Sequence, residues 1–360
     1  MQSKNIHVVG IGTIGEPLLG ILTSLRSELG IDRITFHKQV PRLADRPKLR
    51  ALISRGATLT ATPETMDLFR DLGLEPAMTH EDAIEGAQVV IDCTPVGNDN
   101  KAELYRDFDD GNRVFIAQGS ATGFGKPYAR GINDTTLIRG EDRFVQVVSC
   151  NSHNIAVLLK TIAGVSGERV PQGETAQLDS ARFVCMRRAS DISEETGFVS
   201  APTVGDHADP RYGTHHAADA ANLFRTLGHE LNIFSSAMSL NTQYMHSIHF
   251  SVTLKHAITR QQVLERLRQD PLVSMTAKHT SSTIFSFGRD HGIYGRILNQ
   301  TVVCAPTVTV RDDNEVLGFC FTPQDGNSLI SSISAAMWQL HGQRHHESLQ
   351  CLKRYCFPEI

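Results

Sequence analysis

Long hydrophobic runs are missing from this sequence. No stretch approaches the roughly 20 consecutive apolar residues that cross a bilayer, and the first residues do not combine a basic segment with a long apolar run. A long run of Lys or Arg is also missing, and the formal net charge is -4. We therefore expect no membrane and no nucleic acid among the partners, and a cytoplasmic location.

Paired cysteine motifs and repeats are missing too. The 7 cysteines are an odd number, and none occurs as CxxC or at the dense spacing of a disulfide scaffold. Reduced thiols are therefore expected. The absence of repeats and low-complexity tracts argues against a solenoid or a disordered tail. The cysteines are Cys93, Cys150, Cys185, Cys304, Cys320, Cys351 and Cys356.

The first part of the chain alternates strand and helix patterns. At 360 residues the chain exceeds what one core usually organises, so two domains are expected. An apolar run at Ile6 leads through a glycine cluster into a helical pattern that ends near Leu29, and Pro63 marks a later helix start. Further strands fit Arg33 to His37, Val89 to Cys93, Val114 to Ala117 and Phe144 to Val148. The alternation predicts an α/β fold with a Rossmann-type, doubly wound parallel sheet.

The pattern changes after Cys150. Longer alternating segments there predict an α+β domain with an antiparallel or mixed sheet. A hairpin fits Thr307 to Phe321, and a late helix fits Ser328 to Leu340. The alternating segments are Ser180 to Arg187, Leu231 to Ser239 and Tyr244 to Leu254. The predicted domains are 1–150, which binds a dinucleotide; 151–326, which binds substrate and oligomerises; and 327–360, a helical segment that packs back on the first domain.

A glycine motif follows the first strand. Gly10, Gly12 and Gly15 form GxGxxG directly before a helix. In that position backbone amides and the helix dipole can bind the pyrophosphate of NAD or NADP. The alternative is a turn that only packs the strand against the helix.

The end of the second strand bears on the choice of cofactor. NAD-selective Rossmann domains usually carry an acidic residue there, which bonds the ribose hydroxyls. In this sequence Lys38 follows the strand instead, and its charge would attract a 2'-phosphate. This favours NADP, or tolerance of both cofactors, unless Lys38 is an ordinary solvated lysine.

Cys150 is the candidate nucleophile. It lies between an apolar strand and a helical pattern that includes Ile155 and Leu158. At such a corner the helix amides and dipole stabilise a thiolate and lower the thiol pKa from about 8.5 toward neutrality. A thiolate could attack a carbonyl carbon. A buried structural cysteine is the alternative.

Short motifs occur along the chain in a fixed order. They are GIGTIG from Gly10, DCTP from Asp92, AQG from Ala117, VVSCN from Val147, RR at Arg187 and Arg188, THH from Thr214 and MHSIHF from Met245. In order and spacing this set resembles the archaeal-type (class II) glyceraldehyde-3-phosphate dehydrogenases. The resemblance covers roughly the first 260 residues.

The resemblance implies a phosphorylating aldehyde dehydrogenase of glycolysis. The Cys150 thiolate would add to an aldehyde, pass hydride to NAD(P) and leave a thioester, which inorganic phosphate would release as an acyl phosphate. The motifs extend the implied cofactor site to Thr13, Ile14, Thr94, Gln118 and Gly119. Similar proteins form homotetramers through the sheet of the second domain, so a tetramer or dimer is expected.

The hemithioacetal must lose a proton, so a histidine that titrates near neutrality is expected as the base. On one strand His246 and His249 face opposite ways, and periodicity cannot choose between them. The catalytic histidine of the family follows a Met, as His246 follows Met245, which favours His246. A hydrogen-bonded core histidine is the alternative.

A phosphorylated aldehyde and inorganic phosphate require concentrated positive charge. The resemblance implies phosphate binding by Ser149, Asn151, Ser152, Arg187, Arg188, His215 and His216. Neighbouring strand residues face opposite ways, so one arginine of the pair could be a solvated surface charge. Adjacent histidines rarely share one ion without further ligands, so no metal site is predicted.

The sequence departs from the family close to these positions. Ser152, His153 and Asn154 replace two threonines and a glycine, and Ala217 and Ala218 replace Gly and Pro. His153 could add positive charge. The carboxyl-terminal third resembles the family poorly, and no residue around Gln324 to Asn327 is assigned to the family asparagine near the cofactor.

Two other functions remain open. A semialdehyde or N-acetylglutamyl-phosphate-like reductase would use the same thioester on another aldehyde. A protein that senses NAD(P) or redox state would keep the fold without turnover.

Overall fold

The computed structural model describes residues 3–119, 121–165, 177–191, 197–323 and 325–360. Two compact units are present. Unit 1 consists of Met1–Lys126, Ile138–Val147 and Ser331–Lys353, and unit 2 of Pro127–Leu137, Val148–Ile330 and Arg354–Ile360. The chain passes from one unit to the other after Val147 and after Ile330, within a few residues of the predicted boundaries at 150 and 326. The sequence does not predict that segments 127–137 and 354–360 join unit 2.

Unit 1 is built on a sheet with the strand order β4-β3-β2-β1-β5-β6-β8-β7. The strands are β1 (Asn5–Val9), β2 (Arg33–His37), β3 (Thr58–Ala61), β4 (Met78–Thr79), β5 (Val89–Asp92), β6 (Val114–Gln118), β7 (Lys126–Tyr128), which continues into unit 2, and β8 (Phe144–Val147). The helices are α1 (Gly15–Ser24), α2 (Arg26–Leu29), α3 (Arg46–Ser54), α4 (Met66–Asp71), α5 (His80–Glu85) and α6 (Gly97–Glu103).

The first seven strands in this order, from β4 at one edge through β1 to β8, pair in parallel. This confirms the Rossmann-type prediction. Every residue of β5 and β6 is buried, as expected of parallel strands covered on both faces. The chain runs outward from β1 through β2 to one edge and continues through β5 to the other. Ligands of such sheets bind beyond the carboxyl ends of the strands where this order reverses, between β1 and β5.

Unit 2 is built on a second sheet, with the strand order β10-β11-β9-β12-β16-β14-β13 and β15 paired with β16. In chain order its elements are α7 (Cys150–Ala163), β9 (Leu178–Arg187), β10 (Thr203–Val204), α8 (His215–Arg225), β11 (Ile233–Ser239), β12 (His246–Leu254), α9 (Arg260–Gln269), β13 (Val273–Thr276), α10 (Ser281–His291), β14 (Thr301–Cys304), β15 (Thr309–Arg311) and β16 (Glu315–Thr322). The helix α11 (Gly326–His341) begins in unit 2 and ends in unit 1, where α12 (His345–Ser348) follows.

The sheet of unit 2 is mixed, as predicted. β9 pairs with β11 in parallel and with β12 antiparallel, and β12 pairs with β16 antiparallel. Along β12 the residues Ile248, Phe250 and Val252 are buried, whereas the residues between them are half-buried. The buried face packs with α7, α8 and α9 in the main core of this unit.

Two predicted elements of the C-terminal third are confirmed, and one helix start is wrong. β15 and β16 form the hairpin, with Asp312 and Asp313 at φ of 51° and 60° in its turn. The late helix is α11. The helix expected to start at Pro63 begins at Met66, after a turn in which the carbonyl oxygen of Thr62 accepts hydrogen bonds from the amides of Thr65 and Met66. Across the described ranges no helix is both long and apolar enough to span a membrane.

Candidate active site

The glycine turn joins β1 to α1 in unit 1. Gly10 has a φ of 86°, which favours glycine, and its amide donates to the carbonyl oxygen of His37 at 3.1 Å. A Cβ on Gly15 would lie 2.0 Å from the carbonyl oxygen of Gly10, so a larger residue does not fit. A Cβ on Gly12 would meet nothing within 4 Å. Packing therefore does not require glycine at position 12, which favours a bound ligand over a turn that serves packing alone.

The amino end of α1 suits an anion. Ile14 is the N-cap, and its apolar side chain gives the helix start no hydrogen bond. The first amides of a helix and its dipole attract negative charge. Thr13 lies between the open position of Gly12 and this helix start. The local geometry therefore fits the pyrophosphate of a dinucleotide.

Thr94 is held against the glycine turn by a buried carboxylate. Asp92 accepts hydrogen bonds from the Thr94 amide at 2.8 Å and from the Thr94 hydroxyl at 2.6 Å. Asn100 and Tyr105 donate to the other oxygen of Asp92 at 2.8 and 2.7 Å. A Cβ on Gly10 would lie 2.9 Å from the methyl carbon of Thr94. The DCTP motif predicts Thr94 in the site, but no local pattern identifies Asp92 as the residue that orients it.

Gln118 and Gly119 lie at the same edge of the sheet. Gln118 ends β6, donates to Ser332 Oγ at 2.5 Å, and has a buried Oε1 without a partner among the described residues. Gly119 has a φ of 60°, and its amide donates to the carbonyl oxygen of Val147 at 2.9 Å. The parallel strands β1, β5 and β6 end at one edge of the sheet, and the predicted cofactor residues lie at or just after the ends of these strands. The exception is Lys38, which follows β2.

Lys38 is paired rather than freely solvated. Its Nζ lies 3.0 Å from Asp45 Oδ2. Lys48 was not predicted from the sequence. Its Nζ lies 3.8 Å from Asp45, 3.4 Å from Glu16 and 3.4 Å from the carbonyl oxygen of Ile11 in the glycine turn. Two lysines and two carboxylates therefore flank the turn, and their charges cancel.

Cys150 is the first residue of α7 in unit 2, at the predicted strand-to-helix corner. The N-cap Ser149 accepts the amide of Ser152 at 3.3 Å, and the two hydroxyl oxygens lie 2.8 Å apart. Asn327 donates to the carbonyl oxygen of Cys150 at 2.9 Å and to that of Gln300 at 3.2 Å. Asn327 therefore lies beside the candidate nucleophile. Gln324 lies outside the described residues.

The predicted fall in the thiol pKa is wrong. Burial raises the pKa of Cys150 to about 11, and the charge of Asp325 acts in the same direction. The Arg188 guanidinium and backbone amides at the start of α7 oppose this rise in pKa. The helix start stabilises a thiolate, but it does not outweigh the loss of solvent around the sulfur.

Strand register brings distant residues into one row beside α7. Ser239 pairs with Arg187, and His246 pairs with Thr322. Ser247 pairs with Met186, so His246 lies opposite Arg187. Side chains in such a row share a face of the sheet. The Thr322 hydroxyl donates to Asn151 at 2.9 Å and accepts from Asn154 at 2.9 Å, and both are residues of α7.

The same register separates the two candidate histidines. His249 pairs with Val184 and Phe319 on the opposite face of the sheet, and its ring centroid lies 4.9 Å from that of Phe319. His246 lies on the face that carries α7. Periodicity alone could not make this distinction, because it does not say which face receives the helix.

His246 is neutral, and its tautomer follows from one hydrogen bond. The backbone amide of Arg188 donates to His246 Nδ1 at 3.0 Å. The proton of the neutral ring is therefore on Nε2. Burial, together with the charges of Arg188 and Arg187, lowers the pKa of His246 to about 3. The prediction of a histidine that titrates near neutrality is wrong.

The adjacent arginines have different surroundings. Arg187 donates to Ser239 at 3.1 Å, and its Nε is buried without a partner among the described residues. Arg188 is buried between Asp191, with which it forms a short ion pair, and Asp325 at 3.5 Å. Arg187 is therefore the arginine available to an anion, whereas two carboxylates already neutralise Arg188.

The paired histidines begin α8. His216 is 3% exposed, and its Nδ1 lies 3.4 Å from Ser149 Oγ. Its Nε2 is buried without a partner among the described residues. His215 is exposed, with its ring centroid 3.9 Å from that of His216. Within the described part of the chain, no three metal-ligating side chains are grouped around a possible ion.

His153 does not supply the positive charge suggested from the sequence. Its Nδ1 donates to the carbonyl oxygen of Ser149 at 2.9 Å. Burial lowers the pKa of His153 to about 4, so the ring is neutral at neutral pH.

Asp219, three residues after His216 on α8, is a further polar residue near this site that was not predicted from the sequence. Its side chain is 4% exposed and hydrogen-bonds to the Ser152 side chain, and burial raises its pKa to about 7. A polar residue one turn after a candidate ligand on the same helix is the signal that could have found it.

Known proteins resemble this chain over most of its length, although no protein-family model matches it. A glyceraldehyde-3-phosphate dehydrogenase of Sulfolobus acidocaldarius is 24% identical over 97% of this chain and 96% of its own. One of Methanococcus maripaludis is 26% identical over 87% of this chain and 86% of its own. One of Pyrobaculum neutrophilum is 24% identical over 80% of this chain and 78% of its own.

Proposed function

We propose that this chain, a homologue of the archaeal glyceraldehyde-3-phosphate dehydrogenases, is an NAD(P)-dependent, phosphorylating aldehyde dehydrogenase that forms a thioester on Cys150. The observation that carries the proposal is the row that places Arg187 and His246 on the face of the sheet that receives α7, the helix that begins at Cys150. The open glycine turn of unit 1 supports the cofactor.

The cofactor would be held by Gly10, Gly12, Gly15, Thr94 and Gly119. When bound, its nicotinamide supplies the hydride acceptor. The open position at Gly12 and the amino end of α1 fit the pyrophosphate. Lys38 and Lys48 offer positive charge to a 2'-phosphate, whereas Asp45 and Glu16 reduce it. This balance supports the use of either NAD or NADP.

Chemistry would begin with the sulfur of Cys150. The Cys150 thiol first loses its proton to solvent, and the thiolate then adds to the aldehyde carbon, whose carbonyl oxygen takes the negative charge. His246 donates its Nε2 proton in a hydrogen bond to that oxygen, and so stabilises the alkoxide. Because the alkoxide already carries the electron pair that expels the hydride, this step needs no separate base. The thioester forms as the hydride leaves, and inorganic phosphate then displaces the sulfur as an acyl phosphate.

Anions would bind between α7 and α8. Arg187 Nε and His216 Nε2 are buried nitrogen atoms without partners among the described residues. Ser149, Ser152 and Asn151 add polar groups at the start of α7. Arg188 would act differently, since its amide sets the tautomer of His246 while its side chain pairs with carboxylates.

The assay that tests this function measures NAD(P)H formation with glyceraldehyde 3-phosphate in the presence and absence of inorganic phosphate. Phosphate-dependent turnover is expected, with one equivalent of reduced cofactor formed per site when phosphate is withheld. Aspartate semialdehyde and N-acetylglutamate semialdehyde are the comparison substrates. Faster turnover of either would replace the proposed substrate while keeping the thioester.

A protein that binds NAD(P) without turnover is the second candidate, and the raised pKa of Cys150 favours it. Its test is the same experiment with a direct binding measurement. Tight binding of NADP without reduction by any of the three aldehydes would support the second candidate and overturn the first.

Assembly into a homotetramer is also proposed, through the outer face of the unit 2 sheet. Half-buried apolar side chains occupy this face, and Phe319 is 41% exposed. An apolar face of this kind is typical of an interface. The apolar residues are Val184, Met186, Phe234, Met238, Leu317 and Phe319.

Light scattering tests the assembly. A mass near four times the 39.6 kDa of one chain is expected, and Phe319→Asp should reduce it. A wild-type mass of a single chain would overturn the proposal.

The free state of all the cysteines supports a cytoplasmic location, which fractionation of cells would test.

A further inference from the structure

Asp219 is a buried carboxylate that takes no part in the chemistry above. It lies on α8 with 4% of its surface exposed, and its Oδ2 has no partner among the described residues. A carboxylate in such surroundings loses the solvation that favours its charged form. Burial accordingly raises the pKa of Asp219 to about 7.

Hydrogen bonds join this carboxylate to the candidate phosphate site. Asp219 bonds to the Ser152 side chain. Ser152 Oγ lies 2.8 Å from Ser149 Oγ, which lies 3.4 Å from His216 Nδ1. The line ends at His216 Nε2, which is buried without a partner among the described residues. Two serine hydroxyls therefore connect a carboxylate to an imidazole.

The direction of these bonds depends on the charge of Asp219, because each hydroxyl has one proton to donate. When Asp219 is ionised, Ser152 donates to it, Ser149 donates to Ser152, and His216 donates to Ser149 from Nδ1. The free Nε2 is then an acceptor. When Asp219 is protonated, each bond reverses, Ser149 donates to His216 Nδ1, and the ring carries its proton on Nε2.

We propose that Asp219 is a positioning residue that switches the candidate phosphate site through these two serines. Its protonated form turns His216 Nε2 into a donor that binds phosphate, and its ionised form turns the same nitrogen into an acceptor that does not. The carboxylate gains one proton from solvent, and the proton of the ring moves from Nδ1 to Nε2 by exchange with water. The inference rests on the proposed function, in which Ser149 and His216 bind phosphate.

Other charged and titratable groups lie on the elements around Asp219. Both α7 and β11 pack against α8, and β11 has no titratable side chain. On α7, Lys160 pairs with Asp270 at 2.7 Å, burial raises the pKa of Cys150 to about 11, and burial lowers that of His153 to about 4. Burial also lowers the pKa values of His215, His216 and His246. Arg187 adds a fixed positive charge.

Binding of sulfate to the whole protein tests the switch, since sulfate does not titrate in this range as phosphate does. Calorimetry between pH 6 and pH 8.5 should show a Kd that rises at least roughly tenfold, because Kd varies inversely with the competent fraction. Asp219→Asn, whose amide can donate to Ser152, should keep the low-pH Kd throughout. Ser152→Ala should remove the pH dependence. Asp179→Asn, on the exposed surface of β9, should leave it unchanged.

The tautomer of His216 gives a second readout that does not need a variant. Nitrogen NMR of histidine-labelled protein should show the His216 proton on Nε2 at pH 6 and on Nδ1 at pH 8.5. An unchanged tautomer, or a sulfate Kd that is independent of pH, would overturn the switch while leaving the thioester intact. Absence of sulfate binding at every pH would overturn both the switch and the proposed phosphate site. Failure of the aldehyde assays with the switch intact would overturn only the dehydrogenase.

Discussion

The glycine turn of unit 1 and the start of α7 in unit 2 both join a strand to a helix, but they are built differently. In the turn, backbone atoms of neighbouring residues determine which side chains fit, as the contact between Gly15 and Gly10 illustrates. At the start of α7, Ser149 lies beside His216 of α8, and the helix packs against β9 and β12. The first site is local, and the second is assembled from distant segments.

This difference extends to electrostatics. Backbone amides keep one protonation state, so the charge of the glycine turn does not depend on pH. The side chains around α7 can titrate, and burial shifts each of them toward its neutral form. A site built from side chains is therefore open to control by protons, whereas a site built from backbone is not.

The largest expected effect separates the two regions by function. Cys150→Ser should lower dehydrogenase turnover by at least about 10⁴-fold, the scale on which loss of a catalytic nucleophile acts, while NADP binding stays unchanged. Cys304→Ser is the matched control, since its hydroxyl can keep the bond to the carbonyl oxygen of Lys278. Turnover that survives in the Cys150 variant would exclude the thioester.

Acid should destabilise unit 1, although the charge of its glycine turn does not depend on pH, because three buried histidines lie in β1, at the end of β2 and at the start of α5. Burial lowers the pKa of His7, that of His37 to about 3 and that of His80 to about 4. A lowered folded pKa means that stability is complete above the unfolded value of about 6.5 and is lost as pH falls below it. Each ring should cost about 1.4 kcal/mol per pH unit in that window.

Urea unfolding followed between pH 4.5 and 8 measures this loss. Below pH 6.5, His80→Gln should reduce the slope of the unfolding free energy against pH by the contribution of one proton. Above pH 7 this free energy should depend on pH less steeply. If the slope of the unfolding free energy against pH is the same in the variant and in the wild type, His80 takes up its proton in the folded state as readily as in the unfolded state.

Two alanine variants sharpen the comparison within the turn itself. Gly15→Ala should destabilise the protein by about 1–3 kcal/mol, the usual cost of overpacking, because the added Cβ meets the Gly10 carbonyl oxygen at 2.0 Å. Gly12→Ala should leave stability nearly unchanged and still weaken cofactor binding. Thermal unfolding and NADP titration of both variants are the measurements. Unchanged NADP binding by the Gly12 variant would contradict the proposed pyrophosphate site.

The smallest expected effect concerns cofactor preference, where side chains assist the backbone site. Lys38→Ala should weaken NADP binding by about fivefold, or about 1 kcal/mol, and leave NAD binding unchanged. Asp45→Asn should strengthen NADP binding, because it removes the carboxylate that pairs with Lys38. Fluorescence titrations with both cofactors measure the ratio. Equal changes in NAD and NADP affinity would exclude a role at the 2' position.

Much of the fold could be predicted from local patterns, because periodicity and glycine placement depend on neighbours in the chain. The strand β2, the hairpin at Asp312 and the helix α11 follow such patterns. The pKa predictions for Cys150 and His246 failed, because burial depends on packing that a linear pattern does not contain. Asp92, Lys48 and Asp219 were missed because their partners are identified only in the folded chain.

By itself, the sequence determined where backbone chemistry is possible: a glycine turn after β1 and a cysteine at the start of a helix. Both depend on a few consecutive residues. Only the tertiary structure decided that His246, and not His249, faces α7, that Arg187 is available while Arg188 is neutralised, and that the buried histidines around the start of α7 are uncharged. Register and solvent exclusion make those choices, because they depend on segments that are far apart in the chain.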